Sequence, residues 1–121
     1  MTPEEMAQRD TTVFIAREHG IAIACGALRR HGQIGEVKRM YTRPSHRGRG
    51  IGGLIVAEIE NRACAEGLTQ LVLETANGLD AAWRVYERAG FRRCGPVLDY
   101  PDSGWSIFYQ KPLGTREANA A

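Results

Sequence analysis

The hydrophobic and polar positions alternate, then change period, then alternate again. Asp10 to Glu18 is rich in β-branched and aromatic residues and predicts a strand. His19-Gly20 reads as a turn, Ile21 to Leu28 as a second strand and Arg30 to Gln33 as a second turn. Ile34 to Thr42 is a third strand, so short turns join three strands in an antiparallel meander. The period then becomes helical: Ile51, Leu54, Ile55, Ile59 and Ala63 fall on one face of a helix from Ile51 to about Ala65. Gly67 stops it.

Gln70 to Thr75 is a short apolar strand, expected to lie parallel to the third strand because a helix connects them. Asp80 is a candidate N-cap for a second helix, Ala81 to Ala89, which Gly90 ends. Phe91 to Val97 and Trp105 to Lys111 complete the strands. The order is β-β-β-α-β-α-β-β, an α/β fold with a mixed sheet and a helix on each side. With 121 residues one domain is expected, its ends (1–10 and 114–121) loosely ordered.

Composition narrows the function classes only a little. The net charge of +2 is too mild to argue for nucleic acid, and no apolar run approaches the ~20 residues of a membrane span. Cys25, Cys64 and Cys94 are widely spaced and no His or Cys group has metal-ligand spacing, so no metal is expected. The odd cysteine count and the lack of a signal peptide favour a reducing, cytoplasmic setting. Charge is uneven, however: Lys38, Arg39, Arg43, Arg47 and Arg49 crowd one segment, which suits an anionic small ligand.

That segment holds the candidate chemistry. Arg47-Gly48-Arg49-Gly50-Ile51-Gly52-Gly53 lies between a strand and a helix. Glycines let backbone N–H groups approach a ligand closely, and a helix N-terminus offers free donors and partial positive charge. Arg47 and Arg49 add forked cationic donors. A diphosphate-bearing small molecule fits this arrangement.

Two motifs in their element context resemble the GNAT superfamily of N-acetyltransferases. One is Arg47-Gly48-Arg49-Gly50-Ile51-Gly52, preceded by Met40-Tyr41-Thr42-Arg43-Pro44; the other is Tyr86-Glu87-Arg88-Ala89-Gly90-Phe91. The resemblance covers residues 11 to 113. It implies acetyl-CoA as donor and a primary amine as acceptor. It also implies that Met40, Tyr41 and Thr42 lend backbone groups to the pantetheine arm, that Gly48 to Gly53 hold the pyrophosphate, and that the cofactor enters between splayed central strands. Tyr86 matches the family's tyrosine that protonates the leaving thiolate.

Two carboxylates compete for the base. Glu36 shares a strand face with Lys38, Met40 and Thr42 by alternation, and pairing with Lys38 would lower its basicity. Glu74 ends an apolar strand, where partial burial would raise its pKa, and it is the first choice. Each also reads as a solvated strand residue. Asp99, Tyr100 and Asp102 form an acidic-aromatic cluster that would attract an amine or simply make a turn. His46 is expected to face solvent, and His19 and His31 to sit in turns without evident chemistry.

The chain departs from the family in two places. Members carry a strand and one or two helices before the segment that starts here near residue 11, and these build the acceptor side. An exposed apolar patch is therefore expected, covered in a homodimer by a second subunit. Where the family often places Asn for a cofactor contact, Leu79 stands here. A catalytically silent acyl-CoA-binding module is the alternative reading. Gly48-x-Gly50-x-x-Gly53 with Glu74 also spells a Rossmann dinucleotide site, against which the charged preceding strand and the meander weigh.

Overall fold

The computed structural model describes residues 10–114. The loosely ordered ends expected from the sequence lie outside these residues, apart from Asp10 and Gly114. The strands are β1 (Thr11–Glu18), β2 (Ile21–His31), β3 (Ile34–Thr42), β4 (Gln70–Ala76), β5 (Arg92–Cys94) and β6 (Ser106–Pro112). The helices are α1 (Ile51–Ala65) and α2 (Asp80–Arg88), with a short 3-10 turn at Pro44–His46. The element order is the expected one. No described helix is long and apolar enough to cross a membrane.

One six-stranded sheet runs β1-β2-β3-β4-β6-β5. Only β3 and β4 are parallel neighbours, and the other pairs are antiparallel. β5 pairs antiparallel with β6, which pairs antiparallel with β4, so β5 points the same way as β4. Both helices therefore connect strands of like direction, and both crossovers move the same way across the sheet. Right-handed crossovers of that kind put their helices on one face. The packing agrees: Ile55, Ile59 and Ala63 of α1 and Tyr86 of α2 share one buried cluster with Leu71, Leu73 and Tyr109 of the sheet. Lys111 ties the helices together, donating to Glu60 Oε1 of α1 and to the Ala89 carbonyl after α2, each at 2.7 Å. The expectation of one helix on each side is thus corrected, and the opposite face carries no helix among the described residues.

Local differences have local causes. Leu54, assigned to the apolar stripe of α1, is 67% exposed, and fully buried Val56 takes its place. Asp80 is the first helical residue rather than the cap, which is Leu79. β5 stops at Cys94 because Gly95-Pro96 follows, and proline has no N–H for a ladder.

β3 carries the deviation that matters most. Cys25 faces Tyr41 and Ala27 faces Lys38, so Gly26 alone opposes both Arg39 and Met40. This is a β-bulge, with Arg39 at φ 56°. It reverses the alternation beyond Lys38: Met40 turns to the helix side and packs on the core, while Glu36 and Lys38 stay on the helix-free side. The expectation that Glu36, Lys38 and Met40 share a face fails for that reason. Gly26 fits here because a Cβ would lie 2.5 Å from Met40 Sδ and 2.7 Å from Ile55 Cγ2.

Candidate active site

β3 and β4 pair over only three positions, Ile34–Gln70, Gly35–Leu71 and Glu36–Val72. Beyond Glu36 the strands part, and the bulge at Arg39 bends β3 away just past that point. Lys38, Tyr41 and Thr42 pair with β2 on one side and with nothing on the β4 side. Their open backbone groups form a short sheet edge inside the wedge, able to pair with an extended arm.

Past the end of β3 the chain runs through Pro44–His46 and the glycine loop into α1. Gly50 caps the helix at φ 77° in the left-handed region, which explains the glycine, and contributes no side-chain cap. The first amide in the helix to find a main-chain partner is that of Leu54, which donates to the Gly50 carbonyl at 3.2 Å. The amides of Ile51, Gly52 and Gly53 belong to the unpaired first turn, where no acidic side chain stands. A Cβ at Gly48, Gly50 or Gly53 would meet nothing within 4 Å, so the loop faces open space. One at Gly52 would touch Val85 of α2 at 3.7 Å, which sets α2 against this turn. A groove of about 330 Å³ continues between the helices, lined by Gly50, Gly53, Glu60, Val85 and Arg88 among others.

The two arginines of the loop are engaged. Arg47 Nε donates to the Thr42 carbonyl at 3.1 Å, and its guanidinium lies 5.8 Å from the centre of the Tyr41 ring. Arg49 donates to Glu18 Oε2 at 3.2 Å, and His46 lies 3.5 Å from the other oxygen of that carboxylate. Main-chain donors are thus the free feature of the loop, and the arginines shape it.

Tyr86 lies on α2, 7% exposed, its ring 6.0 Å from those of Phe91 and Tyr109. Burial pushes its phenol up, so it holds its proton at neutral pH. Glu36 has the Lys38 neighbour expected of it, but the partial burial expected of Glu74 is not found. Glu74 is exposed and accepts from Ser106 Oγ at 2.5 Å. Glu36 is the buried one, 2% exposed, at the apex of the wedge. His31 Nε2 lies 2.8 Å from its Oε1, Tyr100 donates to its Oε2 at 2.5 Å, and Lys38 Nζ stands 3.8 Å away. Burial first, then the bond to Glu36, pushes the Tyr100 phenol up to about 12.

His31 was expected in a turn but ends β2, and sequence reasoning missed its contact with Glu36. The signal was present. A two-residue Gly32-Gln33 turn fixes the hairpin register, pairing His31 with Ile34 and Arg29 with Glu36, which places all four on one face. Tyr100 had no comparable signal, because 64 positions separate it from Glu36.

The GNAT acetyltransferase domain family matches residues 9–93. The chain belongs to the GNAT acetyltransferase family. It is 39% identical to an IAA acetyltransferase of Azospirillum brasilense, over 91% of this chain and 73% of that one. Among solved structures, a Klebsiella pneumoniae protein provisionally described as an acyl-CoA N-acyltransferase superposes with TM-score 0.83 at 30% identity, covering 93% of this chain and 77% of that one. A GNAT family acetyltransferase of Elizabethkingia anophelis, solved with acetyl-CoA bound, shares the fold at TM-score 0.73 and 19% identity, over 86% and 77% of the two chains. As a GNAT acetyltransferase the protein is an enzyme, and the Rossmann reading of the glycines falls. The glycines of this GNAT chain follow a bulged strand of a meander, not the first strand of a doubly wound sheet.

Proposed function

We propose that this protein is an acetyl-CoA-dependent N-acetyltransferase that moves the acetyl group to a primary amine by direct attack. The observation that carries this reading is the parting of β3 from β4 beyond Glu36, together with the uncapped start of α1, the next helix after β3. An extended pantetheine arm would add to the free edge of Met40, Tyr41 and Thr42, and the pyrophosphate would sit on the amides of Gly48 to Gly53. The Elizabethkingia anophelis structure, with acetyl-CoA in the same fold, supports that donor.

Acetyl transfer needs a proton removed from the ammonium and one given to the leaving thiolate. Tyr86 is the proposed acid. Burial raises this phenol above its ordinary ~10, so it keeps its proton until a thiolate forms to take it. For the base, burial and position at the apex favour Glu36 over exposed Glu74. We assign no metal to the reaction. Three free thiols fit a cytoplasmic setting. Exposed Val13 and Ile15 on the helix-free face fit a homodimer, and no feature favours nucleic acid.

The test is isothermal titration with acetyl-CoA, with free CoA and NADH as controls, followed by thiol release in the presence of primary amines. Micromolar binding of acetyl-CoA and amine-dependent release are expected. Binding of NADH in place of acetyl-CoA would defeat the reading.

A further inference from the structure

The chain has two lysines, Lys38 and Lys111. Their side chains are equally open to solvent, at 26% and 25%, so exposure does not tell them apart. Their surroundings do. Lys111 lies on the helix side, where its Nζ donates at 2.7 Å both to Glu60 Oε1 and to the Ala89 carbonyl. Lys38 lies on the helix-free side, its Nζ 3.8 Å from Glu36 Oε2 and 3.4 Å from the Tyr100 hydroxyl. Contacts of that length restrain an amine only weakly.

Position sets Lys38 apart as well. Glu36 forms the last pair of β3 with β4, and Lys38 is the next residue of β3 on the same face. Its main chain pairs with Ala27 of β2 and with nothing on the β4 side. Beyond Thr42 the chain leads through Pro44–His46 to the glycine loop. A donor with its diphosphate on that loop and its arm along the open edge of β3 would carry its thioester towards Lys38. From Thr42 back to Lys38 is roughly 13 Å of extended strand, a length that a pantetheine arm can cover.

We propose that Lys38 is a site of self-acetylation: with acetyl-CoA bound and no acceptor present, its Nζ takes the acetyl group from the donor on the same chain. This rests on the N-acetyl transfer proposed above, since Lys38 is itself a primary amine. Lysine is an ammonium in neutral water and must first lose a proton, for which the Glu36 carboxylate stands 3.8 Å away. The freed electron pair on Nζ attacks the thioester carbonyl carbon. An N–C bond forms, the C–S bond breaks, and its electron pair leaves on sulfur. The nitrogen sheds a second proton as the amide forms, and the thiolate takes one up. The products are Nζ-acetyl-Lys38, the CoA thiol and one proton released to water. The amide carries no charge, so Glu36 loses a cation from its surroundings. The reaction stops at one acetyl group on Lys38, because an amide nitrogen is no longer a nucleophile.

The test is mass spectrometry of the full chain after incubation with acetyl-CoA and no acceptor, followed by peptide mapping. An acetyl group on Lys38 is expected, with Lys111 unmodified. Amine and thioester held in one site react as a single molecule, so the rate should not depend on protein concentration. Chemical acetylation is gauged with S-acetyl-N-acetylcysteamine, a thioester without the nucleotide, which should modify Lys38 about tenfold more slowly or worse at equal concentration. Gly50→Asp should slow the reaction with acetyl-CoA by about tenfold or more and leave that with the short thioester unchanged. Equal Lys38 rates with the two thioesters, a rate that rises with protein concentration, or an acetyl group on Lys111 in place of Lys38 overturns the proposal. A wild type that acetylates free amines but leaves Lys38 unmodified overturns it alone. A wild type that binds acetyl-CoA and acetylates neither defeats the activity reading as well.

Discussion

The two faces of the sheet are built by different means. On the helix side, apolar side chains from both helices and four strands interlock, and Leu28, Val56, Ile59, Leu71 and Tyr109 are fully buried. On the other side the central feature is polar: a buried carboxylate held by a histidine, a tyrosine and a lysine, with Tyr100 laid against Phe108, ring centres 6.2 Å apart. Towards β1 that side turns apolar and open, with Val13 at 40% and Ile15 at 50% exposure. One face holds the fold together and presents the start of α1. The other buries Ile23, Ala27, Val72 and Phe108 with no described helix over them and sets a carboxylate among them.

Five measurements would break or sharpen this contrast. Ile59→Ala, in the middle of the covered face, should cost about 2–5 kcal/mol in denaturant unfolding, through lost transfer energy and a cavity. Gly50→Asp puts a side chain at φ 77° and a negative charge beside the proposed phosphate site. Acetyl-CoA affinity should fall about a hundredfold or more by calorimetry, roughly 2.7 kcal/mol, with the fold retained. Tyr86→Phe should lower kcat by about tenfold to a hundredfold and leave acetyl-CoA binding intact. Unchanged turnover would remove Tyr86 from the mechanism.

A smaller effect lies at the rim of the covered face, where Arg30 donates to both oxygens of Glu66, at 2.5 and 2.7 Å. That bond holds the Glu66 carboxyl below its ordinary 4.5. A depressed carboxyl contributes stability above its unfolded pKa and loses it as pH falls through the folded value. The pair should therefore contribute about 1 kcal/mol at neutral pH, fading below about pH 4.5, and Arg30→Ala should flatten that part of the stability profile. Smallest of all, Ile15→Ser on the open face should change monomer stability by less than about 0.5 kcal/mol. By light scattering it should weaken any dimer that uses this face, and a stability loss as large as that of Ile59→Ala would erase the distinction between the faces.

The covered face was also the legible one. Its period-2 and helical patterns placed β3 and α1 at their observed ends, and the glycine run located the uncapped helix start. Three features were not legible. Both helices lie on one face because β5 reaches its place beyond β6, and strand order is not written in local pattern. The bulge at Arg39 depends on Gly26, on a different strand, having no side chain to meet Met40 and Ile55. The environment of Glu36 includes Tyr100, brought by a loop far along the chain. Alternation can say which way a side chain points, but not what will be laid over it.

The extra residue in β3 has a consequence for how this slot can change in evolution or design. Arg39 and Met40 share one partner, so the opening between the strands is set by a count. Deleting Arg39 would restore even pairing, leave Met40 alone opposite Gly26 and still facing the helices, and straighten β3 where it now leaves β4. No intermediate deletion exists. Point substitutions can tune the walls of such an opening by degrees, whereas an insertion or deletion acts on it as a switch.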